Sequence, residues 1–463
     1  MITDQHGLET TAANDQAVTH FDRVVSEYLA LGRDTGMHLK AAFAADPDFL
    51  MAHVTRGYFL LLFVNRAVEP KVRQALESAR KSLKERGGTQ RERMHVAALE
   101  AWLREDTVQA VTLWEQILVE HPLDALALRL AHYTHFYAGE SRQMRDSTAR
   151  ALYAWSETVP DYAYVCGMHA FGLEEDGVYD EAEIWGRRAV EMNSNDPWAI
   201  HAVAHVYDMT GRYREGIEWL KGLKGAWNQA NNFRYHLWWH RALLHLELGQ
   251  FDEALDLYDQ EVRSETESTD YLDIANAASL LWRLDDAGVD VGDRWRELGE
   301  KSEQRIGDHL LAFADVHYML SLAASGRDDA ADRMLASMRA FARRQTPSQA
   351  PVVAEVALPA CQALLAASQG AYDRAVDLLL PVRYQLWRLG GSHAQRDLFA
   401  QLLIQAALKS GRLTLARALL SERTALRPNS PRSWLLYAET LDSLRDRETA
   451  KTARQNARKA LSY

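Results

Sequence analysis

One phrase recurs at a near-constant interval and limits what this chain can fold into. It reads Gly177-Val-Tyr-Asp-Glu-Ala182, then Gly211-Arg-Tyr-Arg-Glu-Gly216, then Gly249-Gln-Phe-Asp-Glu-Ala254. A glycine can take the left-handed backbone that stops one helix, an aromatic opens the next, and a small residue three positions on lets the two helices approach. Repetition at this period means stacked helical hairpins, none of which can bury its apolar face alone. Weaker copies follow at Gly326-Arg-Asp-Asp-Ala-Ala331, Gly370-Ala-Tyr-Asp-Arg-Ala375 and Gly411-Arg-Leu-Thr-Leu-Ala416.

The rest of the chain fits that frame. Pro122, Pro160 and Pro197 each stand where a helix opens, since proline suits a first turn and disfavours helix just before it. Helical period is predicted over 125–137, 162–176, 198–210, 232–248 and 270–284, and no useful length alternates with period two. The expected fold class is all-α: a tetratricopeptide-like helical-hairpin superhelix, or α-solenoid, with no sheet. It is expected to run as a single continuous array over 1–463, with 345–351 as the candidate hinge. Ala182, Trp185, Ala189, Ala254, Leu255 and Tyr258 are the expected contacts between helices.

Composition sets the class of partner. The 463 residues carry 53 Lys+Arg against 64 Asp+Glu, a net charge of −11 with no basic run. That argues against nucleic acid and against an anionic membrane surface. The longest apolar runs, such as 58–64, are short for a bilayer, and the opening residues lack a basic, then apolar, signal pattern. A soluble, cytoplasmic protein is expected. Two cysteines, Cys166 and Cys361, supply neither a disulfide framework nor a thiolate cluster.

Four strings are more specific than a repeat consensus: His201-Ala-Val-Ala-His205-Val with Gly211-Arg212, Tyr235-His-Leu-Trp-Trp-His240, Ser279-Leu-Leu-Trp-Arg283 and Gly390-Gly-Ser-His-Ala-Gln-Arg-Asp397. In these the chain resembles the tetratricopeptide repeat protein 38 family and its bacterial members over nearly its whole length. The resemblance implies an array of atypical tetratricopeptide units. It carries over no catalytic residue.

Histidines overlie the frame. Positions about 2, 6, 10 and 13 residues before each turn glycine share one helical face, expected to line the concave groove. His201, His205 and Asp208 fall on that stripe before Gly211, and His236 and Trp239 before Gly249, with His240 turned partly toward the adjacent helix. His169 stands eight residues before Gly177. Arg396, after the Gly390-Gly391-Ser392 helix break, reaches the groove if the superhelix closes on itself, where it would pair an anionic ligand group.

Three readings follow. In the first, the groove binds a small molecule or short peptide, with His201, His205, Asp208, His236, Trp239, His240, His169 and Arg396 as contacts and the aromatics as walls. In the second, the protein is a hydrolase using these histidines with or without a metal; a metal, if present, would sit on His201, His205, His236 and His240, two His-x-x-x-His pairs from adjacent helices. In the third, the array is a scaffold for a protein partner. Each histidine also has a plain packing reading, strongest for His132, His135, His169, His245 and His317. Cys166, three residues before His169, reads better as packing than as a nucleophile. Gly390-Gly391-Ser392 lacks the strand and Lys of a phosphate loop and reads as a helix break capped by Ser392. Cofactor identity and oligomeric state are left open.

Overall fold

The computed structural model describes residues 1–462. The chain is a succession of helical hairpins of the tetratricopeptide-like kind, and its backbone groups into two compact units. The first comprises Met1–Ala202, Gly225–Arg234 and Arg344–Pro351; the second comprises Val203–Lys224, Tyr235–Arg343 and Val352–Tyr463. The expectation of no sheet fails at one small place. Ile2–Thr3 pairs antiparallel with Glu9–Thr10, held by Glu92, which accepts from Thr10 Oγ1 at 3.0 Å and Thr11 N at 2.8 Å.

The turn phrase does what its residues require. Gly177, Gly211 and Gly249 have φ of 82°, 77° and 73°, and at Gly211 the Arg212 amide reaches back to the Tyr207 carbonyl at 2.8 Å, closing the helix end. Gly211 has a second constraint, because a Cβ there would lie 2.3 Å from Asn429 Cβ. Helix starts follow the sequence as well. Thr89 and Ser392 are N-caps within full capping boxes, with Glu92 and Gln395 as the reciprocal partners. The 344–351 stretch is tied down rather than loose: Ser348 N donates to Glu105 O at 2.9 Å, and Arg344 reaches the Glu105 carboxylate at 3.2 Å.

The two helices of a hairpin differ in burial. The second helix shows one face, as in Tyr213–Gly222, where Tyr213, Gly216, Ile217 and Leu220 are buried. The first helix is covered nearly all round: every residue from Pro197 to Asp208 is buried, and in Phe233–Glu247 only Arg234 and Arg241 are not. One stretch, Ala350–Ser368, has the length and mean hydropathy (1.6) of a membrane span, but 56 % of it is buried within the protein, the pattern of a core helix.

In the second unit the chain returns on itself. Asn429 Nδ2 donates to Thr210 O at 2.9 Å and Ser430 Oγ to Glu247 Oε2 at 2.8 Å. The C-terminal hairpins thereby cover the ends of the Pro197–Thr210 and Phe233–Glu247 helices.

The start of Pro197–Thr210 generates a prediction. Asp196 Oδ1 accepts from Trp198 N at 2.9 Å and Ala199 N at 3.1 Å, a cap followed by Pro197 at the first helical position. Burial pushes its carboxyl up to about 7. The folded state therefore holds the proton more tightly than the unfolded one, and stability falls as pH rises from about 4 to about 7. Asp196→Asn keeps a capping oxygen and does not titrate. Urea midpoints at pH 5 and pH 8 should show the variant gaining on the parent by up to roughly 1.4 kcal/mol per pH unit within that window; a gap that does not widen overturns the assignment.

Candidate functional site

Within the second unit, three of the predicted histidines meet. His205 comes from Pro197–Thr210, and His236 and His240, one turn apart, come from Phe233–Glu247. Ring centroids lie 4.3 Å apart for His205–His240 and 4.6 Å for His236–His240. One ring nitrogen from each residue falls within 4.8 Å of the others.

The proton positions follow from the neighbours. Asn276 Oδ1 lies 2.9 Å from His236 Nδ1, and an amide oxygen only accepts, so Nδ1 carries the proton and Nε2 presents a lone pair. His240 Nε2, at 3.1 Å, then donates to His236 Nε2. Burial, opposed by the Asn276 bond, lowers His236 to about 3, and burial together with the neighbouring rings puts His240 well below the usual range. Both are neutral at pH 7. Trp239 lies nearly parallel to His236 at 5.1 Å and donates Nε1–H to Ser279 Oγ at 2.9 Å.

The histidines do not form an open groove wall as expected: His205 is 0 % exposed, His240 1 % and His236 4 %. The groove positions of a first helix are covered here because that helix is buried on every side. His201 lies in the first unit, where its ring packs on Phe171, Trp198 and Phe233 at 5.1–5.3 Å. Asp208 turns to Arg427, 3.5 Å away; burial raises its carboxyl, with Arg427 opposing.

Two further expected contacts are local. His169 pairs with Thr148 Oγ1 at 3.1 Å, stands edge-on to Trp185, and is lowered to about 4 by burial. Arg396 bonds the Gly391 carbonyl and lies 3.4 Å from His393 Nδ1; it engages the helix break from which its own helix starts. His135, between Glu140 at 2.7 Å and Glu115 at 3.1 Å, is an ion-pair residue. Burial raises the Cys166 thiol to about 11, which suits packing and not nucleophilic attack.

Some of what surrounds the cluster escaped the sequence reading. Asn276 and Ser279 follow His236 and Trp239 by 40 residues each, so the same face of the next first helix supplies both partners; that shared three-residue spacing was the available signal. Long-range partners gave none. Arg423 grips Asp397 through two bonds of 2.5 and 2.9 Å, and Arg283, lowered to about 10 by burial, donates to the carbonyls of Ser279 and Ala394, both at 2.9 Å. The second unit also holds a cavity of about 400 Å³ lined by Trp282, Trp295, Tyr372, Asp285, Asp286 and Lys409, among others.

The family model for anaphase-promoting complex, cyclosome, subunit 3 matches residues 175–261, the stretch with the three turn phrases and the paired histidines. A human IFIT1 dimer with PPP-AAAA is similar over 97 % of this chain and 96 % of that one, at 12 % identity and a TM-score of 0.41. The same dimer with m7Gppp-AAAA gives 0.39 at the same identity and coverage. A Naa15/Naa10 structure bound to HypK-THB gives 0.25 at 12 % identity, covering 94 % and 67 % of the two chains. At these TM-scores none of them informs the site.

The Arg423–Asp397 grip is open to a direct test. Its side chains are only 10 % and 13 % exposed, so Arg423→Met leaves a buried carboxylate without its hydrogen-bonded cation, with the Gln401 amide at 2.6 Å still in place. The variant should lose about 3–5 kcal/mol in urea unfolding at pH 7; a loss below about 1 kcal/mol would show a pair that is solvent-screened.

Proposed function

We propose that this tetratricopeptide-like chain holds a divalent transition-metal ion of the zinc type on His205, His236 and His240. The observation that carries the proposal is the 3.1 Å between the Nε2 atoms of His236 and His240, with Asn276 Oδ1 on the far nitrogen of His236. Metal–nitrogen bonds of about 2.0–2.1 Å at the tetrahedral angle place neighbouring donors about 3.3–3.4 Å apart, so little movement is needed. A ligating histidine usually donates its other N–H to a carbonyl, which Asn276 supplies. Three nitrogen donors leave a fourth position open, as in metal-dependent hydrolases, but burial of all three rings favours a retained ion over a turned-over substrate.

Purified without chelator, the protein should carry about one equivalent of metal by elemental analysis, or take it up from a zinc titration with a rise in Tm. His240→Ala should abolish uptake, and Asn276→Ala should weaken it about 10–100-fold. Because the rings are buried, each variant is compared on its folded fraction by circular dichroism. Undiminished binding in folded His240→Ala, or no uptake by the parent, sinks the proposal.

Binding of a small molecule or peptide is the second reading, and the cavity beside Trp282 favours it at a different place. Two tryptophans and a tyrosine with Asp285 and Asp286 suit a cationic group by cation–π attraction and charge. A tri-arginine peptide should quench tryptophan fluorescence saturably, triglutamate should not, and the Asp285→Asn/Asp286→Asn variant should lose the response. Equal quenching by both peptides counts against it. The finer kinship to the tetratricopeptide repeat protein 38 family, on the four strings above, and a cytoplasmic location belong to the same proposal.

A further inference from the structure

Among the described residues, buried arginines have partners, with one exception. Arg91 meets Asp124 at 2.8 Å, Arg263 meets Glu297 at 2.8 Å, Arg305 meets Asp308 at 2.6 Å, Arg427 faces Asp208, and Arg283 bonds two carbonyls. Arg129, on Ala125–Ala138 in the first unit, is 4 % exposed. Among the described residues no carboxylate lies within ion-pair distance of it and no hydrogen bond takes up its donors. What it has is Trp198, whose ring lies 4.0 Å beneath the guanidinium carbon.

Around the same tryptophan stand other polar atoms without partners. His132, three residues on along the helix of Arg129, is 0 % exposed, and neither of its ring nitrogens has a hydrogen-bond partner. Its ring is 5.7 Å from Trp198 and 6.0 Å from Phe171. Trp198 Nε1 is likewise buried and unpartnered. The titratable groups that act on Arg129 are Tyr28, Asp196 and Tyr133. Asp196 spends Oδ1 on its helix cap; its Oδ2 takes no hydrogen bond and packs against Gly167, 2.6 Å from where a Cβ there would lie.

We infer that Arg129, with His132 and Trp198 beside it, is a binding site in the first unit for a small oxyanion group, a carboxylate or a phosphate. A guanidinium stacked on an indole keeps its in-plane N–H fork available, and that fork matches two oxygens of one anion. Burying an arginine unpaired is among the costlier things a fold can do, and every other buried arginine here avoids it. His132 and the indole N–H add donors from two helices to the same place, a density of unmet donors that an anion resolves and an apolar ligand does not.

The test compares sodium phosphate and sodium acetate with sodium chloride at matched ionic strength, reading Tm and tryptophan fluorescence on the full chain. The parent should respond saturably to one or both oxyanions, with a Tm rise of several degrees, and the more effective salt identifies the class. Arg129→Met should start with a higher Tm than the parent in chloride, since it removes an unpaired buried charge, and should show no oxyanion response. Arg129→Lys, which keeps the charge and loses the fork, should need at least tenfold more anion, and His132→Phe should weaken binding without lowering the melt in chloride. Equal Tm rises in the parent and Arg129→Met would reflect ion exclusion from the surface and overturn the inference, as would a methionine variant less stable than the parent in chloride. If the methionine variant does not fold, an unchanged midpoint in the lysine variant overturns it instead.

Discussion

The central hairpins depend on covering their first helices on all sides. Pro197–Thr210 has no exposed residue from Pro197 to Asp208, and Phe233–Glu247 and Ala312–Ala324 are nearly as enclosed. A hairpin buries one side of its first helix against its own second helix and another against its neighbours. In the second unit the C-terminal ends of Pro197–Thr210 and Phe233–Glu247 are covered by the returning segment at Arg427, Asn429 and Ser430. Enclosure turns every polar side chain on such a helix into an internal accounting problem, because a buried donor or acceptor left unmade is costly.

Most of those problems are solved within the protein. His317 donates Nδ1–H to the Phe313 carbonyl at 2.7 Å, His245 meets Gln250 at 2.7 Å, and Glu247 takes the Ser430 hydroxyl. Asp397, held well below the usual carboxylate range mainly by Arg423 and Arg427 against burial, joins the last hairpins to the helix break at Gly390. Two clusters stand apart from this pattern. In one, His205, His236 and His240 point nitrogens at one another; in the other, Arg129 and His132 keep donors that no protein atom takes. The chemistry of the two differs: neutral imidazoles suit a cation, a guanidinium an anion.

The contrast between the clusters follows from side-chain chemistry. Imidazole loses its charge when buried, at modest cost, which is why His236 and His240 sit neutral. Guanidinium cannot do so within the working pH range, so Arg129 stays charged even though burial lowers its affinity for the proton. A histidine cluster is therefore tolerable to the fold before any ion binds, whereas an enclosed arginine needs something to compensate it.

The sequence by itself determined the helical hairpins, their period and many of their ends. Gly177, Gly211 and Gly249 mark helix ends because few other residues accept positive φ, and Thr89 and Ser392 mark starts because a hydroxyl satisfies the free amides of a first turn. It also placed His205, His236 and His240 on helix faces able to meet, since spacing of four residues within a helix and one repeat between helices are both local regularities. Tertiary structure alone decided that those faces are buried rather than open, that Asp208 turns to Arg427, and that no described carboxylate comes within ion-pair distance of Arg129. The physical reason is range. Periodicity along a helix says which residues share a face, but what covers that face is set by a segment some two hundred residues away, as when Asn429 seats on Thr210 and Gly211, and no local pattern encodes that closure.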